Sequence, residues 1–244
     1  MSTLNEWIQN DHKIAVLTGA GISVPSGIPP FRGKNGLYQN KDVERCLTLQ
    51  YFQAHPDEFW AFYWSLFDAP LLLNAKPNSV HLWLKNLEQT CEVTIITQNI
   101  DGLHAKAASS KIIEVHGAFN RCICPKCGTL YPTQSLLNQK IPHCSALSKD
   151  GKTCGTVLKP DIVLFGEAVR DLRAVEQAVN HADRLLVLGT SLGVAPINFL
   201  PEYAEEFGVP TLLINDRPAL HMDAIDQFCK VNFANFDADS TIID

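Results

Sequence analysis

Five of the eight cysteines, Cys122, Cys124, Cys127, Cys144 and Cys154, fall in one short stretch, whereas Cys46, Cys91 and Cys229 are scattered. Cys124-Pro125-Lys126-Cys127-Gly128 sets two thiolates three residues apart, a spacing at which both reach one tetrahedral ion while the glycine turns the backbone beneath it. Cys144 and Cys154, the latter followed by Gly155, supply a second pair. Four thiolates leave no open position, so one structural ion, read as zinc, holds shape there and does no chemistry. Cys122 ranks below these four as a ligand. A redox C-x-x-C is the competing reading, but that motif opens a helix in a βαβ unit, and Pro125, Gly128 and Tyr131-Pro132 favour a turn. Spacing alone does not separate zinc from iron.

A second group of residues has the chemistry of a nucleotide site. Gly19-Ala20-Gly21-Ile22-Ser23 follows an apolar run, as in a dinucleotide-binding turn whose amides approach a pyrophosphate. Val24 stands where the third fingerprint glycine would be, so the dehydrogenase pattern is broken and a plain tight turn competes. Gly27 to Gly33 then carries Phe31 and Arg32 on a Gly/Pro-rich loop able to fold over the same ligand. Thr97-Gln98-Asn99-Ile100-Asp101-Gly102-Leu103-His104 offers groups suited to ribose hydroxyls or a carboxamide, with an Asx turn at Asp101-Gly102 as the alternative. His116, before Gly117, is placed as a general base. Gly189-Thr190-Ser191-Leu192-Gly193 and Asn215-Asp216 add two more polar turns.

These turns share a position: each closes a brief run rich in Val, Ile or Leu. Lys13–Thr18, Val93–Thr97, Asp161–Phe165, Arg184–Gly189 and Pro210–Asn215 read as parallel strands buried on both faces. Leu172, Val175 and Val179, and likewise Val80, Leu84 and Leu87, recur at helical steps between them. The alternation predicts an α/β, doubly wound parallel sheet with its ligands at the carboxyl ends of the strands. Two stretches interrupt it. Residues 34–74 crowd Phe59, Trp60, Phe62, Tyr63, Trp64 and Phe67 into a helical insertion, and residues 119–158, short of core material, form the metal-stapled module. The core then comprises 1–33, 75–118 and 159–244.

With 244 residues, 46% of them hydrophobic and 19% charged, the chain has material for a real core. Its formal charge of −6 gives no general attraction for nucleic acid. Apolar runs such as Leu71–Leu73 fall far below a membrane span, and Met1–Lys13 has no secretory or import pattern, so a cytoplasmic protein is expected.

Taken in order, Gly19-Ala20-Gly21-Ile22-Ser23, Gly27-Ile28-Pro29-x-Phe31-Arg32, Thr97-Gln98-Asn99-x-Asp101-x-Leu103-His104, His116-Gly117, the four cysteines, Phe165-Gly166-Glu167, Gly189-Thr190-Ser191-Leu192 and Ile214-Asn215 resemble the motif set of the sirtuins. The resemblance implies a Rossmann-like domain with a small zinc-ribbon module and a helical insertion. It implies NAD-dependent protein lysine deacylation, deacetylation first, giving free lysine, nicotinamide and O-acyl-ADP-ribose. By resemblance, Gly19, Ala20, Gly21 and Ser23 meet the NAD phosphates, Phe31 and Arg32 close over the nicotinamide ribose, and Gln98, Asn99 and Asp101 form the ribose and nicotinamide pocket. Gly189, Thr190, Ser191 and Asn215 line the phosphate and adenosine end, and His116 is the catalytic base, with Asn99 and Asp101 beside it. Val163, Phe165 and Val194 border the acyl-lysine channel, and the substrate adds as a strand between the 165–167 and 192–194 segments. Members active on acidic acyl groups tend to carry Tyr-x-x-Arg in the helical lobe; here Tyr63 is followed by Leu66, which implies neutral acyl groups. The competing functions are an ADP-ribosyltransferase or NAD glycohydrolase on the same pocket, an NAD-sensing binding module and, given the broken glycine pattern, a dehydrogenase.

Overall fold

Alternate side chains of the buried apolar runs face opposite ways, so each run feeds two cores at once. The computed structural model describes residues 2–31, 36, 42–239 and 241–243. In chain order its strands are β1 (Ser2–Thr3), β2 (Lys13–Thr18), β3 (Glu92–Thr97), β4 (Ile112–Glu114), β5 (Gly117–Ile123), β6 (Leu130–Pro132), β7 (Lys159–Ile162), β8 (Arg184–Leu188), β9 (Thr211–Asn215), β10 (Gln227–Lys230) and β11 (Ile242–Ile243). Its helices are α1 (Leu4–Ile8), α2 (Val43–Cys46), α3 (Leu49–Ala54), α4 (Pro56–Leu66), α5 (Ala69–Asn74), α6 (Ser79–Leu87), α7 (Leu103–Lys106), α8 (Leu172–Asn180) and α9 (Leu200–Glu206).

Six strands form one parallel sheet in the order β10-β9-β8-β2-β3-β4. Ile14, Val16, Ile95, Leu186, Leu188, Leu212 and Ile214 face α6 and α1, and Ala15, Leu17, Ile96, Leu185, Val187 and Leu213 face α8 and α9. α6 begins at an Asn78 capping box closed by His81 and buries Val80, Leu84 and Leu87; α8 buries Val175 and Val179. After β2 the chain moves outward to β3 and β4, and later returns to the other side of β2 to lay down β8, β9 and β10. The boundary between β2 and β8 is therefore a topological switch point, where a doubly wound sheet opens a crevice at its carboxyl edge. The fold is Rossmann-like, as the strand pattern predicts.

The expected parallel strand at Asp161–Phe165 is corrected by the structure. β7 pairs antiparallel with β5, which also takes β6, in a separate three-stranded sheet. Lys159 and Asp161 are buried polar residues within it, and such groups need the ion partners this sheet supplies rather than an apolar sandwich. The edge strand β10 escapes the sequence reading because it is short and only weakly apolar, whereas β4 is the short apolar run that precedes Val115-His116.

The region from Val43 to Asn74 folds as helices α2 to α5, with Pro56 and two acidic residues opening α4. The cysteine-bearing segment shares a core with these helices. Phe59, Trp60, Tyr63 and Phe67 pack with Phe119, Cys122, Leu136, Leu158 and Ile162, and the Trp60 indole N–H donates to the Leu158 carbonyl at 3.0 Å. The two interruptions of the alternating pattern thus solve each other's burial problem.

Candidate active site

The turns after β2 and β8 meet at the switch point. The Gly19 N–H donates to the Leu188 carbonyl at 2.9 Å and the Gly21 N–H to the Gly189 carbonyl at 2.8 Å. A Cβ on Gly21 would lie 2.8 Å from the Gly189 oxygen and 2.9 Å from its Cα, both immovable backbone. These glycines therefore let two strand ends touch. Ala20 to Ser26 continues as a 3₁₀ helix containing Pro25, not the long α-helix of a dehydrogenase turn.

Next to this contact the polar residues form one chain of hydrogen bonds. The Asn99 amide donates to the Gly19 carbonyl at 3.0 Å and to Ser23 Oγ at 3.3 Å, and Ser23 Oγ–H donates to Asp101 Oδ2 at 2.7 Å. Asp101 Oδ1 accepts the Leu103 N–H at 2.9 Å, and Gly102 has φ of +69°, so the expected Asx turn is present as well. Gln98 Nε2 donates to Thr190 Oγ1 at 3.1 Å, and Asn215 Nδ2 donates to the Thr190 carbonyl at 3.0 Å, linking the ends of β3, β8 and β9. Burial raises the Asp101 carboxyl above the usual range, opposed by its hydrogen bonds to Leu103 and Ser23. Asn99 Oδ1 is buried with no partner among the described residues. An orphaned acceptor costs about 1–3 kcal/mol, which a ligand donor such as a carboxamide N–H relieves. The site fits a nicotinamide nucleotide on that ground.

His116 sits in the tight link between β4 and β5. Its Nδ1 lies 3.0 Å from the Gln98 carbonyl oxygen, which can only accept, so Nδ1 carries the proton and Nε2 keeps its lone pair. Burial lowers the His116 pKa, and the Gln98 carbonyl works against that shift. The ring is thus a neutral base of fixed tautomer.

A cavity with about 70 Å³ of free space opens beside Asn99 and Asp101. It is lined by Ala20, Ser23, Phe31, Asn99 and Asp101 together with Ile28, Leu66, Phe67, Leu71 and Leu72. Leu66 lines it. Tyr63 does not: it has no exposed surface and its ring stacks between Phe59 and Phe119, with centroids at 5.9 and 5.8 Å. The residue expected in the channel is a buried support, because α4 turns that position inward. Phe67, Leu71, Leu72 and Ile100 were not foreseen as lining; their signals were the aromatic cluster, the Leu71–Leu73 run and the Thr97–His104 motif. Arg32 lies outside the described residues.

On the far side, Val163 N–H donates to the His116 carbonyl at 2.9 Å. The Phe165 N–H and carbonyl are both taken by the lobe, at Leu47 and Leu49, although its ring is 40% exposed. Gly166, at φ +89°, is exposed, and Val194 lies in the loop after β8, where its carbonyl accepts the Asn198 N–H at 3.0 Å. Ser191 is exposed beside Thr190.

At the far end of the small sheet, the sulfurs of Cys124, Cys127, Cys144 and Cys154 all lie within 4.8 Å of one another. Cys124 and Cys154 are 3.7 Å apart and Cys127 and Cys144 3.6 Å. Four sulfurs each about 2.3 Å from one ion sit roughly 3.8 Å apart, so the donor set fits zinc. Thr129 brings the Cys127 thiol down to about 6, and Thr156 lowers that of Cys154. Cys122 stands apart, buried against Thr133, and burial pushes its thiol up to about 12.

The sequence profile of the Sir2 family matches residues 19–196. The chain belongs to the Sir2 family. A relative from Bacillus subtilis named NAD-dependent protein deacetylase is 43% identical over 222 residues, spanning 89% of this chain and 90% of its own. NAD-dependent protein deacetylase 2 of Geobacillus kaustophilus is 42% identical over 226 residues, 91% of this chain and 88% of its own. Among solved structures, a Sir2 variant with deacetylated p53 peptide and 3′-O-acetyl ADP-ribose aligns with a TM-score of 0.82 at 32% identity, covering 97% of this chain and 96% of that one. A Sir2 complex with p53 peptide and NAD+ gives 0.78 at 33%, covering 95% and 92%. Among the described residues, no helix of this Sir2-family chain is long and apolar enough to cross a membrane.

Proposed function

We propose that the chain is an NAD-dependent protein lysine deacylase acting on neutral acyl groups, acetyl first. The observation that carries this reading is His116, its Nδ1 proton committed to the carbonyl of Gln98, the residue before Asn99, whose orphaned oxygen belongs to the cavity wall. NAD bound there supplies a glycosidic bond to nicotinamide whose cleavage leaves a ribose carbon able to accept the acyl oxygen of the substrate amide.

The residues divide the remaining work. Gly19, Ala20, Gly21 and Ser23 hold the phosphates with Thr190 and Ser191, and Asn215 fixes the far end of that wall. Asn99 and Asp101 hold the carboxamide and keep Ser23 aimed into the pocket; Phe31 and Arg32 cover the ribose. His116 Nε2 accepts a ribose hydroxyl proton, and its buried, single-tautomer ring makes that atom the acceptor without prior proton loss. An acylated peptide enters as a strand between Gly166-Glu167 and Gly193-Val194, because Phe165 has its backbone occupied by the lobe. Val163 and the Phe165 ring then flank the lysine, and Leu66 with Leu71 and Leu72 receives the acyl chain. Cys124, Cys127, Cys144 and Cys154 hold one structural zinc. A fold with its chemistry at a soluble crevice suits a cytoplasmic enzyme.

His116→Ala tests the assignment. Turnover on an acetyl-lysine peptide should fall at least about 10²-fold while calorimetric NAD binding stays within about threefold, the size expected for loss of a general base. Near-normal turnover in the folded variant contradicts it.

A further inference from the structure

Gly117, the residue after His116, has φ of +75°, and a Cβ there would lie 2.9 Å from Nη1 and 3.0 Å from Cζ of Arg170. The Arg170 guanidinium therefore lies across the Gly117 backbone. Arg170 Nη2 donates to Asp161 Oδ1 at 2.6 Å, and Asp161 Oδ2 takes Arg121 Nε at 2.5 Å. Arg121 Nη2 continues to Glu114 Oε2 at 2.7 Å. Glu114 ends β4 and Arg121 lies in β5, so the ion chain spans the two strands on either side of His116.

The backbone is pinned at the same place. The Arg170 N–H donates to the Val115 carbonyl at 3.0 Å, and Val163 N–H holds the His116 carbonyl at 2.9 Å. The two peptide carbonyls flanking the imidazole are thus held from outside by hydrogen bonds, and the Arg170 guanidinium lies close to Gly117. The Asp161 side chain is only 6% exposed. Burying a carboxylate between two guanidiniums costs desolvation that an apolar cluster of equal volume avoids, so stability alone is a weak reason for the arrangement. What the arrangement does secure is direction. Gly117 lets the Asp161 backbone and the Arg170 guanidinium both come close to the link, beside its pairing with Ile162.

We propose that Arg170, held in place by Asp161 and Arg121, is a positioning residue for His116, keeping Nδ1 on the Gln98 carbonyl and so leaving Nε2 as the basic nitrogen. The proposal rests on the reading of His116 as base, but one of its two readouts is independent of turnover.

The test uses Arg170→Ala and Arg170→Lys in protein labelled with ¹⁵N at histidine, with NAD and an acetyl-lysine peptide as substrates. In Arg170→Ala the His116 ring should pass from one tautomer to a mixture in imidazole ¹⁵N spectra. Its kcat should fall about tenfold, since small misplacements of a reacting group have effects of that size, while KM for both substrates stays within about twofold. Lysine restores the charge opposite Asp161 but not the plane over Gly117, so Arg170→Lys should recover thermal stability and only part of kcat. A folded Arg170→Ala with a single tautomer and unchanged kcat overturns the proposal. If that variant does not fold, wild-type kcat and a single tautomer in Arg170→Lys overturn it instead. Full turnover in His116→Ala would refute the base assignment, whereas an unchanged tautomer would refute the positioning role alone.

Discussion

His116 Nδ1 and the carbonyl oxygen of Gln98 are 3.0 Å apart, joining the β4–β5 link to the end of β3. This bond decides which ring nitrogen is free, and burial decides that the ring is neutral. A base works only when unprotonated, and the folded pKa of this one lies below its ordinary 6.5. Activity that depends on it is full at neutral pH and is lost as pH falls through that depressed value. The acid limb of kcat against pH should therefore have its midpoint below 6.5; a midpoint above 7 contradicts the geometry.

His81 and His104 provide a second pH dependence, of stability rather than rate. Their rings lie 4.9 Å apart, fully buried, with His81 Nε2 and His104 Nδ1 unpartnered. Burial lowers His81 to about 4; burial, and then His81 itself, lowers His104 to about 3. The unfolded chain takes up these protons near 6.5 and the folded one does not, so stability falls as pH drops from about 6.5 toward about 4. Thermal midpoints measured over that window should decline continuously, and His81→Gln should flatten the decline. An equal slope in the variant contradicts the assignment.

The Tyr131 hydroxyl accepts the N–H groups of Ser145 and Ala146 at 2.9 and 3.0 Å and lies 3.2 Å from Cys144 Sγ, to which it can donate. It orients a thiolate from behind. Tyr131→Phe should weaken zinc retention about tenfold against a chromogenic chelator, in line with other outer contacts of metal ligands. Stripping the metal should also disturb Trp60 fluorescence, because its indole is bonded to Leu158 at the base of the same sheet. Unchanged retention in Tyr131→Phe would remove Tyr131 from the site.

The cavity wall of Ile28, Leu66, Phe67, Leu71 and Leu72 holds no Lys or Arg among the described residues, and Asp68 and Asp101 are its charged members. An acidic acyl chain would meet two carboxyl groups and, among the described residues of this wall, no cation. A succinyl-lysine peptide should be cleaved at least about tenfold more slowly than its acetyl twin, one such factor being about 1.4 kcal/mol. Leu66→Arg should narrow or reverse that ratio. Faster succinyl cleavage by the unaltered protein contradicts this reading.

The strands of the main sheet were legible because Ile14 to Leu17, Val93 to Ile96, Leu185 to Leu188 and Leu212 to Ile214 are apolar on both faces, and only a sandwiched sheet demands that. Cys124 and Cys127 were legible from their C-x-x-C spacing, and Cys144 and Cys154 as a second pair of cysteines in the same stretch. β7 was misread because Ile162, Val163 and Leu164 look like a core strand, while its partner in pairing, β5, is distant in sequence and carries Arg121. Tyr63 was misplaced because the pitch of α4 decides which of Tyr63 and Leu66 faces inward, and an all-round aromatic helix hides that phase. The Arg121-Asp161-Arg170 chain had no signal at all: Arg121 and Asp161 are 40 residues apart and meet only through the β5–β7 pairing, and Arg170 returns to Asp161 from the loop nine residues on.

The central claim is that this crevice couples NAD cleavage to removal of an acyl group from lysine. The most direct test measures nicotinamide released by the purified protein with and without an acetyl-lysine peptide, following the peptide by mass spectrometry in the same tube. The account predicts release that requires the peptide, one nicotinamide for each acetyl group lost. Equal release in the absence of peptide contradicts it and identifies an NAD glycohydrolase or transferase.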